Sequence, residues 1–316
     1  MNPLIAGRPE PAAIPYQRDI SAESREVDHD QFPELLRAFT QAEWRLGDMG
    51  RMGIDHQVIA PAPGQQHYWA EPPLLDQLSR LQNEHVAAMV RANPKAFSGI
   101  GTLPMTAPDL ALATATHGME ELGLKGFQID TRAGGMGLSD PALDRIWARL
   151  VQLDAAVMLH PLGFSDGQRL GAFFMVNTVG NPMEEVIAAN HLILGGVLDR
   201  HPGLRIKIVH GGGFYPFLTG RLDHAWKRRP EVRRLTAEPP SAYLRRMWYD
   251  TVVFDPQLLR MLVELVGAGR VMLGSDYPFD MGDVDPVAML EAAGLTETET
   301  AQITSATATE FFRLSP

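Results

Sequence analysis

Three polar residues stand at the ends of apolar runs in this sequence. His160 closes "AAVMLH", His210 closes "LRIKIVH" and Asp276 closes "RVMLGSD", and each run has the composition of a buried strand. A carboxylate in that place is costly to bury unless a cation or a hydrogen-bond donor faces it. Two imidazoles and a carboxylate that converge would suit Zn²⁺ or a similar divalent ion. A hydrogen-bonded histidine–aspartate network without metal would satisfy the same pattern.

The available metal chemistry is limited by composition. The chain has no cysteine, so any metal must be held by histidine, aspartate or glutamate. Most of the ten histidines fall in predicted helices or polar turns and are expected to be structural. His160 and His210 differ, because each is followed by a glycine-containing loop through which the backbone can approach a ligand.

The elements that must position these residues follow a simple order. Seven short apolar runs predict strands, at 55–61, 96–101, 125–130, 155–160, 204–210, 247–254 and 270–276. Helical periodicity is found between them, at 74–93, 107–122, 140–153, 182–198 and 257–267. Repeated strand–helix units predict a parallel sheet, either doubly wound or closed into a (β/α)8 barrel. The barrel is favoured because polar side chains end so many strands, and the C-terminal rim of a barrel collects catalytic groups.

A complete barrel of this type needs eight strands, and no convincing strand precedes Asp55. Residues 1–50 predict Pro-rich coil followed by a helix from about residue 30. No repeat or low-complexity linker divides the chain. Residues 1–316 are therefore expected to form a single barrel domain whose first strand is missing or atypical.

Composition and charge exclude several classes of partner. The 316 residues carry a formal net charge of −10, and the longest basic block is the short "KRRP" at 227–230, so nucleic acid is not expected as a partner. No apolar run approaches the roughly 20 residues that span a membrane. The N-terminal residues carry prolines and charges where a signal peptide would be apolar. A cytoplasmic protein is expected.

Several motifs carry a resemblance to a known family. The segments "GTLPMTAPDLA", "HGGGFYPFLTGR", "WYDTVVFDP" and "VMLGSDYPF" resemble the amidohydrolase-related metal-dependent decarboxylases, most of all the aminocarboxymuconate semialdehyde decarboxylase branch, from about Arg45 to the C-terminus. The resemblance implies a (β/α)8 barrel with one Zn²⁺ at its C-terminal rim. It implies that His160 and Asp276 bind the metal and that His210 is the base that takes a proton from metal-bound water.

The resemblance also implies how the substrate is bound. Arg45 in "EWRLGDM" matches an arginine that binds a substrate carboxylate, and Arg221 in "TGRLDH" matches one that reaches into the neighbouring subunit's site. A homodimer is therefore expected. Phe279, in "GSDYPF", is expected to contact the substrate. Phe174 stands where the muconate enzyme has a tryptophan in its lid, here about 163–181, although a plain surface connection is the alternative for that segment.

One departure from the family is large. Members begin with a strand that ends in H-x-H, whose two histidines bind the metal, and here His29 stands alone in "VDHDQF". Because an open barrel would expose unpaired strand edges, which proteins avoid, we expect that the sequence as given begins about a dozen residues late. A metal-poor relative is the alternative. A second departure, Phe254 in "VFDP" where the muconate enzyme has a histidine, leaves the substrate open.

Three functions compete on these residues. The first is non-oxidative decarboxylation of a small unsaturated or aromatic carboxylic acid, the second is metal-dependent hydrolysis of an ester or lactone on the same barrel, and the third is a non-catalytic relative without metal. Arg45 and Arg221, two guanidinium groups directed at an acidic substrate, favour decarboxylation over hydrolysis. The missing H-x-H favours the third function. Decarboxylation is the prediction.

Overall fold

A computed structural model describes residues 4–314, and short parallel strands and helices alternate along them. The strands are β1 Gln57–Ile59, β2 Phe97–Gly99, β3 Gly101–Thr102, β4 Gly126–Ile129, β5 Arg132–Ala133, β6 Met136–Gly137, β7 Ala156–Leu159, β8 Arg205–Ile208, β9 Tyr249–Asp250 and β10 Val271–Met272. The α-helices are α1 Pro15–Asp19, α2 Ala22–Thr40, α3 Ala42–Met52, α4 Pro72–Ala92, α5 Pro108–Glu120, α6 Asp144–Gln152, α7 Asn181–Leu194, α8 Val197–Arg200, α9 Tyr215–Arg228, α10 Pro230–Arg233, α11 Pro256–Val266, α12 Pro286–Ala292, α13 Glu297–Ala301 and α14 Thr307–Phe312. Single turns of 3₁₀ or π-helix connect several of them.

The parallel strands form the wall of a barrel in chain order. β1 pairs with β2, β3 with β4, β4 with β7, β7 with β8, and β9 with β10, all in parallel. A parallel bridge between Lys207 and Trp248 joins β8 to the β9 side. All seven predicted strand positions are thus occupied, and the prediction of a parallel sheet is confirmed. The antiparallel hairpin of β5 and β6 was not predicted.

The wall stays open on one side. Within residues 4–314, no strand pairs with the free edges of β1 and β10, so the expected first strand is missing there. Residues 22–29, predicted as coil, belong instead to α2, whose N-terminus is capped by the Ser21 side chain accepting from Ser24 N. His29 therefore lies on a helix rather than in the expected polar turn.

The C-terminal helix α14 fills one end of the barrel. Phe311 and Phe312 of α14 pack in one buried cluster with Ile100, Trp248 and Met272. The Trp248 and Phe311 rings lie 5.1 Å apart. Buried aromatic rings contribute heavily to packing, so α14 is expected to stabilise this end of the barrel.

Two helices carry residues to the rim where the strands end. α7 begins with Asn181–Pro182, as suits a first helical turn, and buries one face that includes Glu185, Ala189 and Leu192. α9 begins at Tyr215, directly after the glycine turn that follows β8. None of the helices formed by residues 4–314 is long and apolar enough to cross a membrane.

Candidate active site

His160, His210 and Asp276 meet at the rim of the barrel. Each follows a strand, β7, β8 and β10 respectively, and one ligand atom from each lies within 4.8 Å of the others. The Nε2 atom of His160 is 3.5 Å from Asp276 Oδ1, and the Nε2 atom of His210 is 3.7 Å from Asp276 Oδ2. The two imidazole rings lie edge to face, 5.1 Å apart. The predicted convergence is present in the structure.

The tautomers of both histidines direct a lone pair toward Asp276. Nδ1 of His160 lies 2.8 Å from the carbonyl oxygen of Pro161, which can only accept, so Nδ1 carries the proton. Nδ1 of His210 contacts the Glu185 carboxylate in the same way. In the neutral rings, each Nε2 lone pair then faces the Asp276 carboxylate. A cation between these three groups, a proton or a metal ion, is needed to relieve the repulsion.

The residues present fit a divalent metal on this geometry. Nε2 of His160 is buried and has no hydrogen-bond partner in the part of the chain that the structure describes. Imidazole nitrogens and carboxylate oxygens suit zinc or another divalent ion. His160 and Asp276 supply two such donors, and His210 Nε2 lies beside them, where it can serve as a third ligand or as a base next to the metal.

The charges of the site are strongly coupled. Burial works to raise the pKa of Asp276, but the two imidazole rings that face its oxygens, His160 and His210, outweigh that effect and hold the pKa well below its usual range. Burial works to lower the pKa of His210, but the Glu185 carboxylate and Asp276 raise it well above the usual value. The pKa of Glu185 is raised by its burial, since the side chain has no exposed surface.

The backbone around His210 is held in an unusual conformation. His210 and Asp276 have φ angles of 51° and 54°, a region that non-glycine residues rarely adopt. Gly211, Gly212 and Gly213 follow with φ of 61°, 82° and 62°. That these glycines let the backbone approach a ligand stays a prediction, and the structure adds a second reason for them: a Cβ at Gly211 would meet Val253, and one at Gly212 would meet the Tyr249 ring. They are needed for the turn and for close packing.

Arg45 is buried on the open side of the barrel. Its side chain is on α3, and the residue is only 6% exposed. The guanidinium donates to the Ala38 carbonyl (3.1 Å) and to Gln57 Oε1 (3.1 Å), and it lies 4.8 Å from the Tyr277 ring centre. Within residues 4–314 it forms no ion pair with a carboxylate. Burial lowers its pKa. A buried cation of this kind favours an anionic ligand.

The other predicted substrate residues, Phe279 and Phe174, lie in two separate loops. The Phe279 ring packs edge to face on Phe39 at 5.7 Å and, with Tyr277, lines a cleft of about 430 Å³ between α3 and the loop after β10. Phe174 lies in the predicted lid with φ of 56°, next to Phe173 with φ of 58°. The structure records no contact between either phenylalanine ring and His160, His210 or Asp276.

Arg221 is exposed on α9. It forms no hydrogen bond or ion pair within the described part of the chain, from residue 4 to residue 314. Asp223, two residues farther along α9, does not pair with it, because Asp223 accepts from the Ser241 backbone N–H (2.9 Å) and hydroxyl (2.6 Å). The guanidinium is free to meet another molecule.

Glu185 is a functional residue that the sequence did not reveal. It lies in the first turns of α7, in "NPMEEV", where acidic residues are common for electrostatic reasons. Its neighbour Glu184 is equally buried and accepts from the Ser165 backbone N–H (2.8 Å) and hydroxyl (2.7 Å). The sequence "NPMEEV" gives no indication that either carboxylate is buried. Asp130, which directly follows β4, is half-buried, and the loss of hydration raises its pKa to about 6.

Comparison with known proteins assigns the fold and family. The family model described as Amidohydrolase matches residues 15–314. The chain is 34% identical over 292 residues to a 2-amino-3-carboxymuconate-6-semialdehyde decarboxylase of Dictyostelium discoideum, covering 92% of this chain and 81% of that protein.

Solved structures agree with this assignment. A 5-carboxyvanillate decarboxylase from Sphingomonas paucimobilis is 27% identical, with a TM-score of 0.80 and coverage of 86% of this chain and 82% of that one. A dihydroxybenzoic acid decarboxylase from a Polaromonas species, solved with bound manganese and an inhibitor, shares the fold with a TM-score of 0.81, 23% identity and coverage of 93% and 94%. The predicted barrel is confirmed, and the chain belongs to the amidohydrolase family, among relatives that are decarboxylases.

Proposed function

We propose that this protein is a metal-dependent, non-oxidative decarboxylase of a small aromatic or unsaturated carboxylic acid. The observation that carries the proposal is the convergence of His160, His210 and Asp276, with two Nε2 lone pairs directed at one carboxylate. The decarboxylases among the relatives supply the reaction class. The known relatives act on different acids, so the class of substrate rather than one compound is proposed.

His160 and Asp276 would hold the divalent metal, which we propose to be Zn²⁺, with Mn²⁺ as the alternative that the Polaromonas structure supports. When bound, such an ion acts as a Lewis acid toward an oxygen ligand and lowers the pKa of bound water. His210 would remain beside the metal as the proton carrier. Its orientation is fixed by Glu185, so its Nε2 points at the site.

The reaction breaks one carbon–carbon bond and forms one carbon–hydrogen bond. The electron pair of the broken bond stays on the substrate carbon, CO₂ leaves, and a proton must reach that carbon. His210 Nε2 is the proton source at the site, with Glu185 stabilising the protonated imidazole. Arg45 would orient the substrate through a second anionic group, because its guanidinium has no carboxylate partner among the described residues.

The burial of Arg45 also favours decarboxylation over hydrolysis of a lactone or ester. A neutral carbonyl substrate offers no charge to offset the cost of burying a guanidinium, whereas a carboxylic acid does. The third alternative, a relative that binds no metal, leaves the buried Nε2 of His160 without a partner. Decarboxylation accounts for both observations.

Arg221 would complete the site of a neighbouring subunit. Its exposure and its lack of a partner within residues 4–314 support the proposal that it crosses the interface of a homodimer to contact the substrate there. A planar guanidinium can hold a carboxylate through two parallel hydrogen bonds, which lysine cannot reproduce.

A direct test is CO₂ release by the purified protein after addition of Zn²⁺ or Mn²⁺. The acids to compare are 2-amino-3-carboxymuconate-6-semialdehyde, 5-carboxyvanillate and 2,6-dihydroxybenzoate, with simple aryl esters and lactones as the hydrolysis controls. We expect CO₂ release from at least one acid, abolished by Asp276→Asn. Ester or lactone cleavage with no CO₂ from any acid would instead support the hydrolase.

A further inference from the structure

A buried ion pair lies inside the barrel below the candidate site. Lys207 is on β8, three residues before His210, and its Nζ atom is 2.9 Å from Asp250 Oδ2 at the end of β9. Both residues are buried, with 7% and 2% of their surfaces exposed. Among residues 4–314, the only other polar contact of Nζ is the Met158 sulfur at 3.7 Å. A lysine in such a place is costly unless the carboxylate partner compensates it.

The second oxygen of Asp250 holds the turn that carries His210. Asp250 Oδ1 accepts from the backbone N–H of Gly211 (3.1 Å) and from that of Val252 (3.3 Å). His210 and Gly211 both have positive φ, which costs free energy for the histidine and persists only where surrounding contacts enforce it. The hydrogen bond that Asp250 accepts from the Gly211 N–H is such a contact, because this N–H belongs to the peptide bond that follows His210.

The same segment also contacts the strand end that leads to Asp276. A Cβ placed on Gly274 would lie 2.8 Å from Asp250 Cβ, so the two backbones touch there. Thr251, next to Asp250, exchanges hydrogen bonds with Gly274: the Gly274 N–H donates to its hydroxyl (3.1 Å), which donates to the Gly274 carbonyl (3.2 Å). Asp250 and Thr251 therefore connect the end of β8 with the end of β10.

We propose that Lys207 and Asp250 are positioning residues that fix the distance between His210 and Asp276. The lysine ammonium binds one carboxylate oxygen of Asp250, so the other oxygen is directed at the Gly211 N–H. This orientation keeps the turn at Gly211 in a fixed position relative to Gly274. The functional meaning of this inference rests on the proposed function, since His210 and Asp276 are the residues proposed to move the proton and to bind the metal. Its geometry does not depend on which acid is the substrate.

The test compares three variants with a matched control. Lys207→Met keeps the carbon stem without the charge, Asp250→Asn keeps the acceptor for Gly211 without the ion pair, and the double variant leaves no unpaired buried charge. Arg205→Met is the control, because Arg205 is an equally buried cation on the same strand whose carboxylate partner is Asp154, at the opposite end of the barrel.

The first measurement is amide hydrogen exchange of residues 210–213 in the metal-free proteins. We expect exchange at the Gly211 amide to become at least about tenfold faster in the three variants and to stay unchanged in Arg205→Met. The second is the dissociation constant for Mn²⁺ or Zn²⁺ from chelator competition, which we expect to rise about 10–100-fold, the effect typical of lost outer support for metal ligands.

The outcomes separate this inference from the proposed function. Unchanged exchange at residues 210–213 in all three variants would overturn it, even if CO₂ release is found. Recovery of both exchange protection and metal affinity in the double variant would also overturn it, since the harm would then come only from an unpaired charge. Faster exchange in a protein that decarboxylates none of the acids would support it while removing the proposed function. If a single variant fails to fold, exchange at residues 210–213 and metal affinity are compared between the double variant and the wild type.

Discussion

Glu185 determines what His210 can do. A buried carboxylate that accepts from one imidazole nitrogen fixes the ring orientation and stabilises the ring when it gains a proton at the other nitrogen. The same arrangement also occurs in metal-binding histidines, so geometry admits two roles. We assign the proton-carrying role to His210 and the ligand roles to His160 and Asp276, and the two assignments give different results on substitution.

Replacing His210 with alanine should separate metal binding from turnover. We expect His210→Ala to retain nearly the wild-type metal content while turnover falls by about 10²–10⁴, the range of lost acid–base help. Metal content is measured by elemental analysis after dialysis, and turnover by CO₂ release. His117→Ala is the control, because His117 lies on α5 and pairs with Glu121 at 3.1 Å. Parallel loss of metal and activity would make His210 a ligand.

Arg45 should contribute to substrate affinity through its geometry as well as its charge. We expect Arg45→Lys to raise KM at least about tenfold, because an ammonium lacks the planar fork that binds a carboxylate through two hydrogen bonds. Arg37→Lys is the control, since Arg37 stacks on Trp44 at 5.4 Å. An unchanged KM in Arg45→Lys, with intact folding, would show that Arg45 does not bind the substrate.

At the scale of elements, the loop between β1 and α4 contains an unusual buried segment. His67 is nearly buried, has φ of 53° and packs edge to face on Trp69 at 5.7 Å. Its Nδ1 atom has no hydrogen-bond partner, and neither do the Tyr68 hydroxyl and the Trp69 Nε1. Burial lowers the pKa of His67 to about 4. The neutral imidazole is therefore part of the native packing of this loop.

This burial predicts a pH dependence of stability. Because the folded pKa lies below the ordinary value, the unfolded chain binds more protons between about pH 6.5 and pH 4, so stability is complete above that window and is lost as the pH falls through it. Between pH 7.5 and pH 5, we expect His67 to account for about 2 kcal/mol of the loss in unfolding free energy.

The measurement is urea unfolding of the wild type and of His67→Asn at the two pH values. Asparagine tolerates positive φ and does not titrate in this range. At pH 7.5 we expect His67→Asn to have a lower free energy of unfolding than the wild type. Between pH 7.5 and pH 5 its free energy of unfolding should fall by less than that of the wild type. Equal losses in the two proteins would show that His67 is not the titrating group.

Strands and helices with a clear pattern of apolar residues could be predicted from the sequence. Features that depend on contacts between distant parts of the chain could not. The strand before His160 is a continuous apolar run, as is typical of a strand buried on both faces, whereas the strand before His210 was recognised from its isoleucines and valine although Arg205 and Lys207 interrupt them. α2 begins eight residues earlier than the predicted helix, because Ser21 supplies a cap and Pro33 is tolerated inside it. The glycines after His210 were identified, but their neighbours Val253 and Tyr249 come from distant strands, so their packing role was invisible.

The site itself was predictable only where side chains end strands. His160, His210 and Asp276 follow that rule and were found. Glu185 reaches the site from a helix, and Lys207 supports it from inside a strand, so neither carries a local signal. Their roles arise only from the closure of the barrel wall, which brings β8, β9 and α7 together.

At the scale of the whole molecule, the proposed role of Arg221 in a neighbouring subunit's site would connect assembly with activity. We expect Arg221→Ala to raise KM and lower kcat/KM while a dimer persists in sedimentation. Mixing it with inactive His210→Ala should restore about a quarter of wild-type activity, because half of the dimers are then mixed and each holds one complete site. Arg228→Ala, on the same helix, is the control. Mixed dimers, once shown to have formed, that remain inactive would exclude a shared site.

The central claim is that His160 and Asp276 hold one divalent metal at the rim of this barrel. Metal binding by calorimetric titration of the metal-free protein with Zn²⁺ or Mn²⁺ tests it most directly, with His160→Ala, Asp276→Asn and the distant His117→Ala measured alongside. The account predicts one strong site per chain in the wild type and in His117→Ala, and loss of that site in the other two variants. Unchanged strong binding in His160→Ala and Asp276→Asn would contradict it.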